Sequence, residues 1–232
     1  MDIEKKYELI PSDIEGLFRI KALKDFYDVK KGDIGGYIQS ENNLSQLGEC
    51  WIYDNAKVCD NAVVWGNAKV CYKAKVCDNA RVWGEAKIWG SVVIYGNAYV
   101  FGNARVEDNA VVWNNAQIYG YAKVCDNAQV CDDAIVRDNA RVFANAQIYD
   151  NAVVVGNAQI CGDAIISSNK DYIIFKNWWS SGRFFTWTRS NNMWKVGCFY
   201  GTGEELIVKA YKDSEESGRE YEKIVKYVES II

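Results

Sequence analysis

A chain of 232 residues with a formal net charge of −4 has room for one or two domains and no overall basic character, so no long nucleic acid is expected as a partner. It has one proline and no apolar run long enough to span a bilayer, so no membrane association is expected. It also has no histidine, which excludes any Ser–His–Asp or Cys–His nucleophile.

The opening Met1-Asp-Ile-Glu-Lys-Lys has charges with no apolar core behind them, so it is not read as a signal peptide, and a cytoplasmic location is expected. Tyr7–Ile10 and Leu17–Leu23 alternate as strands around a turn at Pro11–Gly16. A glycine-marked loop, Asp28–Gly36, leads into Tyr37-Ile38. Its Gly-Gly pair lacks the helix start that a phosphate-binding loop needs. Residues 1–50 are therefore expected to form an amino-terminal β cap with an irregular first coil, covering an end that would otherwise expose unpaired backbone.

Residues 51–167 follow a different rule. From Ile52 to Ile166 every sixth residue is Val or Ile. A second register, from Ala56 to Ala164, is Ala throughout except at Val92. The residue before each Ala is mostly Asn, and the one before that mostly Asp or Gly. A period of six is neither helical nor that of a simple strand. It fits a short strand and a corner: Ala56 and Val58 share parity and point inward, and the Asp/Gly-Asn pair turns the chain, since Gly, Asn and Asp tolerate positive φ. Three corners close a triangle, and the coils stack at the strand spacing of about 4.8 Å.

This pattern resembles the left-handed parallel β-helix built from hexapeptide repeats; the handedness is implied by the resemblance. Lys24-Asp-Phe-Tyr-Asp-Val-Lys-Lys-Gly-Asp-Ile-Gly-Gly-Tyr37, with Asn43–Asp54, is similar to the entry segment of YdcK-like hexapeptide-repeat proteins of bacteria and phages. The resemblance implies the fold and brings no catalytic residues to carry over. Acyltransferases of this fold typically use a His as general base, and its carbonic anhydrases hold zinc through His; neither arrangement is available without histidine.

Coils of eighteen residues let the outside be read as columns. Lys69, Lys87, Arg105, Lys123 and Arg141 form one, between Trp51 and Gln159. Stacked cations repel, so they call for an anionic ligand, a partner's acids or solvent. Trp65, Trp83, Phe101 and Tyr119, ending at Arg137, form a second column on the third face. Tyr95, Trp113 and Tyr149 cover part of the second face. Such aromatic strips suit trimer packing, a stacking platform for a nucleotide or sugar, or ladders in which the rings satisfy one another. Six of the eight cysteines (Cys59, Cys71, Cys77, Cys125, Cys131, Cys161) occupy the outward position after the Val. They are read as wall residues, with redox or metal chemistry as the alternative; no metal ligands and no cofactor are expected.

Residues 168–232 are expected to form a small βββα(α) module behind a linker at Ser167–Asp171. Its strands are Tyr172–Lys176, Arg183–Arg189 and Met193–Tyr200, and a helix starts at Thr202 with Glu205 three residues on. A second helix carries Tyr221, Ile224, Val225, Val228 and Ile231. Trp178, Trp179, Arg183, Trp187 and Arg189 are candidates for partner binding, with a small-sheet core and a base- or sugar-binding site as the alternative readings.

Together these features predict a mainly β, non-catalytic scaffold or sequestering protein, a homotrimer, taking a nucleotide-like anion or a host protein as partner. Phage associations of the resemblance imply a counter-defence role. The rival is an acyl-CoA-dependent acyltransferase working without His, and a third reading is purely structural.

Overall fold

The computed structural model describes residues 4–232, so residues 1–3 of the expected amino-terminal cap lie outside the described residues. From Trp51 to Ile166 the chain winds as a parallel β-solenoid. Each hexad supplies one two-residue strand, such as Lys87–Ile88, with the first residue outward and the second buried. Strands one coil apart pair in parallel: Lys87 lies between Lys69 and Arg105, and Ile88 between Val70 and Val106. Two walls are sheets of seven and six strands, and the third is a ten-stranded sheet that includes the amino-terminal strands. Every Val, Ile and Ala of the two inward registers is fully buried. Burial of each Val or Ile side chain contributes roughly 1.5–3 kcal/mol.

The corner chemistry is more divided than the sequence suggests. Positive φ belongs to the first corner residue alone, from Asp54 (53°) to Asp150 (53°), with Gly at 66, 84, 96 and 102 among others. Gly90 (φ 99°) is also a close approach, since a Cβ there would sit 2.5 Å from the Asp108 carbonyl oxygen. The following Asn has another task. Its side-chain amide donates to the equivalent residue one coil on, so Asn61, Asn79, Asn97, Asn115 and Asp133 form a chain with steps of 3.2, 3.1, 3.1 and 3.0 Å. Asn109, Asn127, Asn145 and Asp163 form a second.

The backbone has a direction. Lys57 N–H donates to Ala74 O, Cys59 N–H to Val76 O and Asn55 N–H to Tyr72 O, at 2.9, 3.0 and 3.0 Å. These ladder N–H groups point toward the carboxy-terminal end of the solenoid and the ladder carbonyls toward the amino-terminal end. The last coil therefore presents donors and the first presents acceptors, each costly if buried unpaired. The segments beyond each end match this. At the carboxy-terminal end Asn169 Oδ1 accepts from Val153 N (2.8 Å), Thr186 Oγ1 from Gln159 N (2.9 Å) and Ser190 Oγ from Ile165 N (2.7 Å). At the amino-terminal end the buried Lys6 Nζ donates to Cys50 O (2.9 Å), Asn43 Nδ2 to Ala62 O (2.9 Å) and Arg19 Nη1 to Asp54 O (2.7 Å).

Tyr7–Pro11 and Phe18–Ala22 pair antiparallel, and Ile34–Ile38 joins Phe18–Ala22 on one side and Lys57–Val58 in parallel on the other. The Gly35-Gly36 pair is a packing requirement: a Cβ would lie 2.5 Å from Ile52 O at the first and from Ala56 O at the second.

The segment read as a linker is a docked turn, with the Asp171 carboxylate accepting from Ser167 N (2.9 Å) and Ser168 N (2.8 Å). The carboxy-terminal module has four strands where three were expected. Gly197, at φ 56°, breaks the third into Met193–Val196 and Phe199–Gly201. Helix α1 (Gly203–Asp213) starts from the expected Thr202–Glu205 capping box, and α2 (Glu215–Glu229) follows after Ser214. Ile231, assigned to the second helix from the sequence, lies just beyond it.

Candidate functional site

The seven-stranded wall brings the five predicted cations into one file, with Lys69, Lys87, Arg105, Lys123 and Arg141 as register partners in successive coils. They are not equivalent. Lys69 is withdrawn: its Nζ is 3.4 Å from Asp28 and 3.3 Å from the centre of the Tyr27 ring. Lys123 is ion-paired with the buried Glu107, which holds its ammonium above the ordinary lysine range. Lys87, Arg105 and Arg141 are exposed and have no ion pair among the described residues.

An open groove of about 370 Å³ runs along this file, lined by Lys87, Arg105, Lys123 and Arg141 and by the corner residues Glu85, Asn103, Tyr121 and Asn139. The amide chain seen at other corners is interrupted here. Glu85 accepts from Asn67 (2.6 Å), and Tyr121 stands between Asn103 and Asn139 in the column. The side-chain amides of Asn103 and Asn139 therefore make no hydrogen bond among the described residues and line the groove beside the cations. Guanidinium forks, an ammonium and amide donors along one channel make a surface suited to phosphate or carboxylate oxygens.

The aromatic column flanks the same corner on its other side. Trp65, Trp83, Phe101 and Tyr119 stack with centroids 4.8, 4.3 and 4.7 Å apart, the planes within 10° of parallel. The faces of Trp83 and Phe101 are covered by their neighbours, so neither offers an open face to a base or sugar. Arg137 ends the file and turns to Asp138 at 3.2 Å. On the second face Tyr95 and Trp113 also stack, 6.0 Å apart.

The five residues singled out in the carboxy-terminal module do not form one surface. Trp187 is corrected: it is 1% exposed, packed in the core with Phe185, Trp194 and Leu206, and its Nε1 donates to Asn192 Oδ1 at 2.8 Å. Trp179 is half-buried, its ring 4.9 Å from that of Tyr221. Trp178 and Arg183 are exposed, near the hairpin at Gly182. Arg189 is exposed at the opposite end of its strand, donating to Lys170 O at 3.2 Å. The sequence reading missed a cavity of about 510 Å³ between sheet and helices, lined by Asn177, Arg183, Cys198, Lys209, Asp213 and Tyr221 among others.

The wall cysteines behave mostly as expected. Burial pushes the thiols of Cys71, Cys125 and Cys161 up to about 11 and that of Cys131 up to about 12, so they stay protonated near neutral pH.

Against known proteins, the YdcK beta solenoid repeat matches residues 146–159. A stretch of 38 residues is 53% identical to "Uncharacterized acetyltransferase YdcK" of Escherichia coli (strain K12), covering 16% of this chain and 12% of that protein. The matched repeat, residues 146–159, lies within the solenoid, near its carboxy-terminal end. Among the described residues no helix is long and apolar enough to cross a membrane.

Proposed function

We propose that this is a non-catalytic binding protein whose basic face takes up a small polyanion of nucleotide type, with the solenoid as rigid scaffold. The observation that carries this reading is the groove holding Lys87, Arg105 and Arg141, three cations without acidic partners among the described residues, beside Lys123 and two free side-chain amides. Cations on neighbouring rungs, about 4.8 Å apart in backbone spacing, repel one another. A ligand with several negative charges removes that repulsion and gains charge-assisted hydrogen bonds. The absence of histidine leaves the acyl-transfer general base without its usual side chain.

In this proposal the protein is a homotrimer that packs aromatic-bearing faces between subunits and acts in the cytoplasm. Its counter-defence setting, capture of a signalling nucleotide or of a host protein, follows from the phage associations of the resemblance. Native mass spectrometry of freshly purified protein tests this directly. A trimer that releases a nucleotide-sized anion on denaturation supports it, and a chain that neither retains nor takes up any of a nucleotide panel overturns it.

A second reading comes from the E. coli relative, which is named as an acetyltransferase. It predicts turnover of acetyl-CoA in the presence of an acceptor amine or alcohol, with a carboxylate in the place of the imidazole. Mere binding of acetyl-CoA without thiol release belongs to the first reading.

A further inference from the structure

Two of the wall cysteines stand apart from the rest. Cys59 and Cys77 follow Val58 and Val76, which are register partners in adjacent coils, so the two side chains leave the wall one above the other. In the same column later coils carry Tyr95 and Trp113. Asp60, at the corner beside Cys59, turns its carboxylate onto the pair: Oδ2 is 3.5 Å from Cys59 Sγ. Both sulfurs and the carboxylate oxygen lie within 4.8 Å of one another. That oxygen is also held by the Asp78 N–H at 3.3 Å, and the backbone N–H of Asp60 donates to Gln39 Oε1 at 2.7 Å.

We infer that Cys59, Cys77 and Asp60 form a binding site for one thiophilic divalent cation of the zinc and cadmium class, on the outer wall of the solenoid. Zinc–sulfur bonds of about 2.3 Å and zinc–oxygen bonds of about 2.0–2.2 Å place tetrahedral donors roughly 3.5–3.8 Å apart, which the observed spacing meets with small side-chain rotations. Two thiolates select such a metal over magnesium or calcium, which take oxygen ligands. Binding releases the thiol protons to solvent, and two thiolates with one carboxylate outweigh the charge of the ion. Asp60 is exposed and Cys59 half-buried, so the fourth coordination position opens to solvent for water or a small ligand. Asp108, Cys125 and Asp126 cluster in a similar way but offer a single sulfur, which makes Cys125 a natural control.

The test is an anaerobic titration of the full, reduced chain with Cd²⁺, read by thiolate-to-cadmium charge-transfer absorption, in a Cys198→Ser background that removes the exposed thiol. One equivalent per chain is expected, competed by Zn²⁺. Cys59→Ser and Cys77→Ser should each abolish the band, Asp60→Asn should weaken binding about tenfold, and Cys125→Ser should leave it unchanged. The four positions lie on the outer wall, Asp60 exposed, Cys59 and Cys125 half-buried and Cys77 buried, and unchanged circular dichroism establishes that each variant is folded. No saturable band, a band that survives Cys59→Ser and Cys77→Ser, or a Cys59–Cys77 disulfide as the standing state of protein purified without reductant would each overturn the inference.

Discussion

The cation file and the aromatic file stand on either side of one corner, built by the same eighteen-residue coil, and the stacking works oppositely in them. Coil stacking brings each residue onto its equivalent above and below. Where those equivalents are rings, they gain: Trp83 is sandwiched between Trp65 and Phe101 at 4.8 and 4.3 Å. Where they are amides, each donates to the next, as from Asn79 to Asn97 at 3.1 Å. Where they are cations, they repel, and among the described residues the fold offsets this at two of five positions, with Asp28 at Lys69 and Glu107 at Lys123. A β-solenoid thus rewards like residues in a column unless they carry charge. A run of like charge along such a column works against stability, which is the physical reason for proposing an anionic ligand there.

This contrast can be broken by substitution. Trp83→Ala takes a ring from the middle of its stack and should cost about 3 kcal/mol in urea unfolding, the lower end for an aromatic-to-alanine change because the ring is half-buried. Anion binding across the corner should change less than twofold, and a large binding loss with little change in stability would reverse the roles given to the two files. Asn97→Ala interrupts the amide chain and should cost about 1 kcal/mol in the same measurement. Arg105→Glu should go the other way, leaving stability unchanged or raised by about 0.5 kcal/mol, because it replaces repulsion with attraction to Lys87 and Lys123. The smallest effect concerns Asp28. Burial raises its pKa, but the hydrogen bond from Tyr53 and the nearby Lys69 outweigh this and hold it below the ordinary range. Its stabilising contribution is therefore complete above the usual carboxylate pKa and is lost as pH falls through the lowered value. Asp28→Asn at neutral pH should reproduce that acid state, with stability reduced by about 0.5 kcal/mol or less and anion affinity raised a few-fold by the freed Lys69.

The solenoid was legible because its period is written in residue types: Val and Ile at every sixth place admit neither a helix nor a simple strand. The columns followed from that period, so the cation and aromatic files could be named before any coordinates. What the residues could not disclose was the direction of the backbone hydrogen bonds. Nothing in Lys6, Asn43, Thr186 or Ser190 marks them as partners for the two unlike ends of the solenoid. Trp187 was open to core and surface readings because alternation assigns a strand two faces without saying which one the helices cover. The asymmetry within the cation file was equally hidden, since Asp28 reaches Lys69 from forty-one positions away.

The most direct test of the central claim is a calorimetric titration of the full chain with adenosine triphosphate, comparing Arg105→Glu with Arg81→Glu, an exposed cation on the six-stranded wall. Saturable binding that Arg105→Glu weakens about tenfold or more and Arg81→Glu leaves within twofold places the polyanion on the basic groove, since a lost charged hydrogen bond is worth about 1.5–3 kcal/mol. Absence of binding, or an equal loss in both variants, would contradict it and reduce the file to a solvated face.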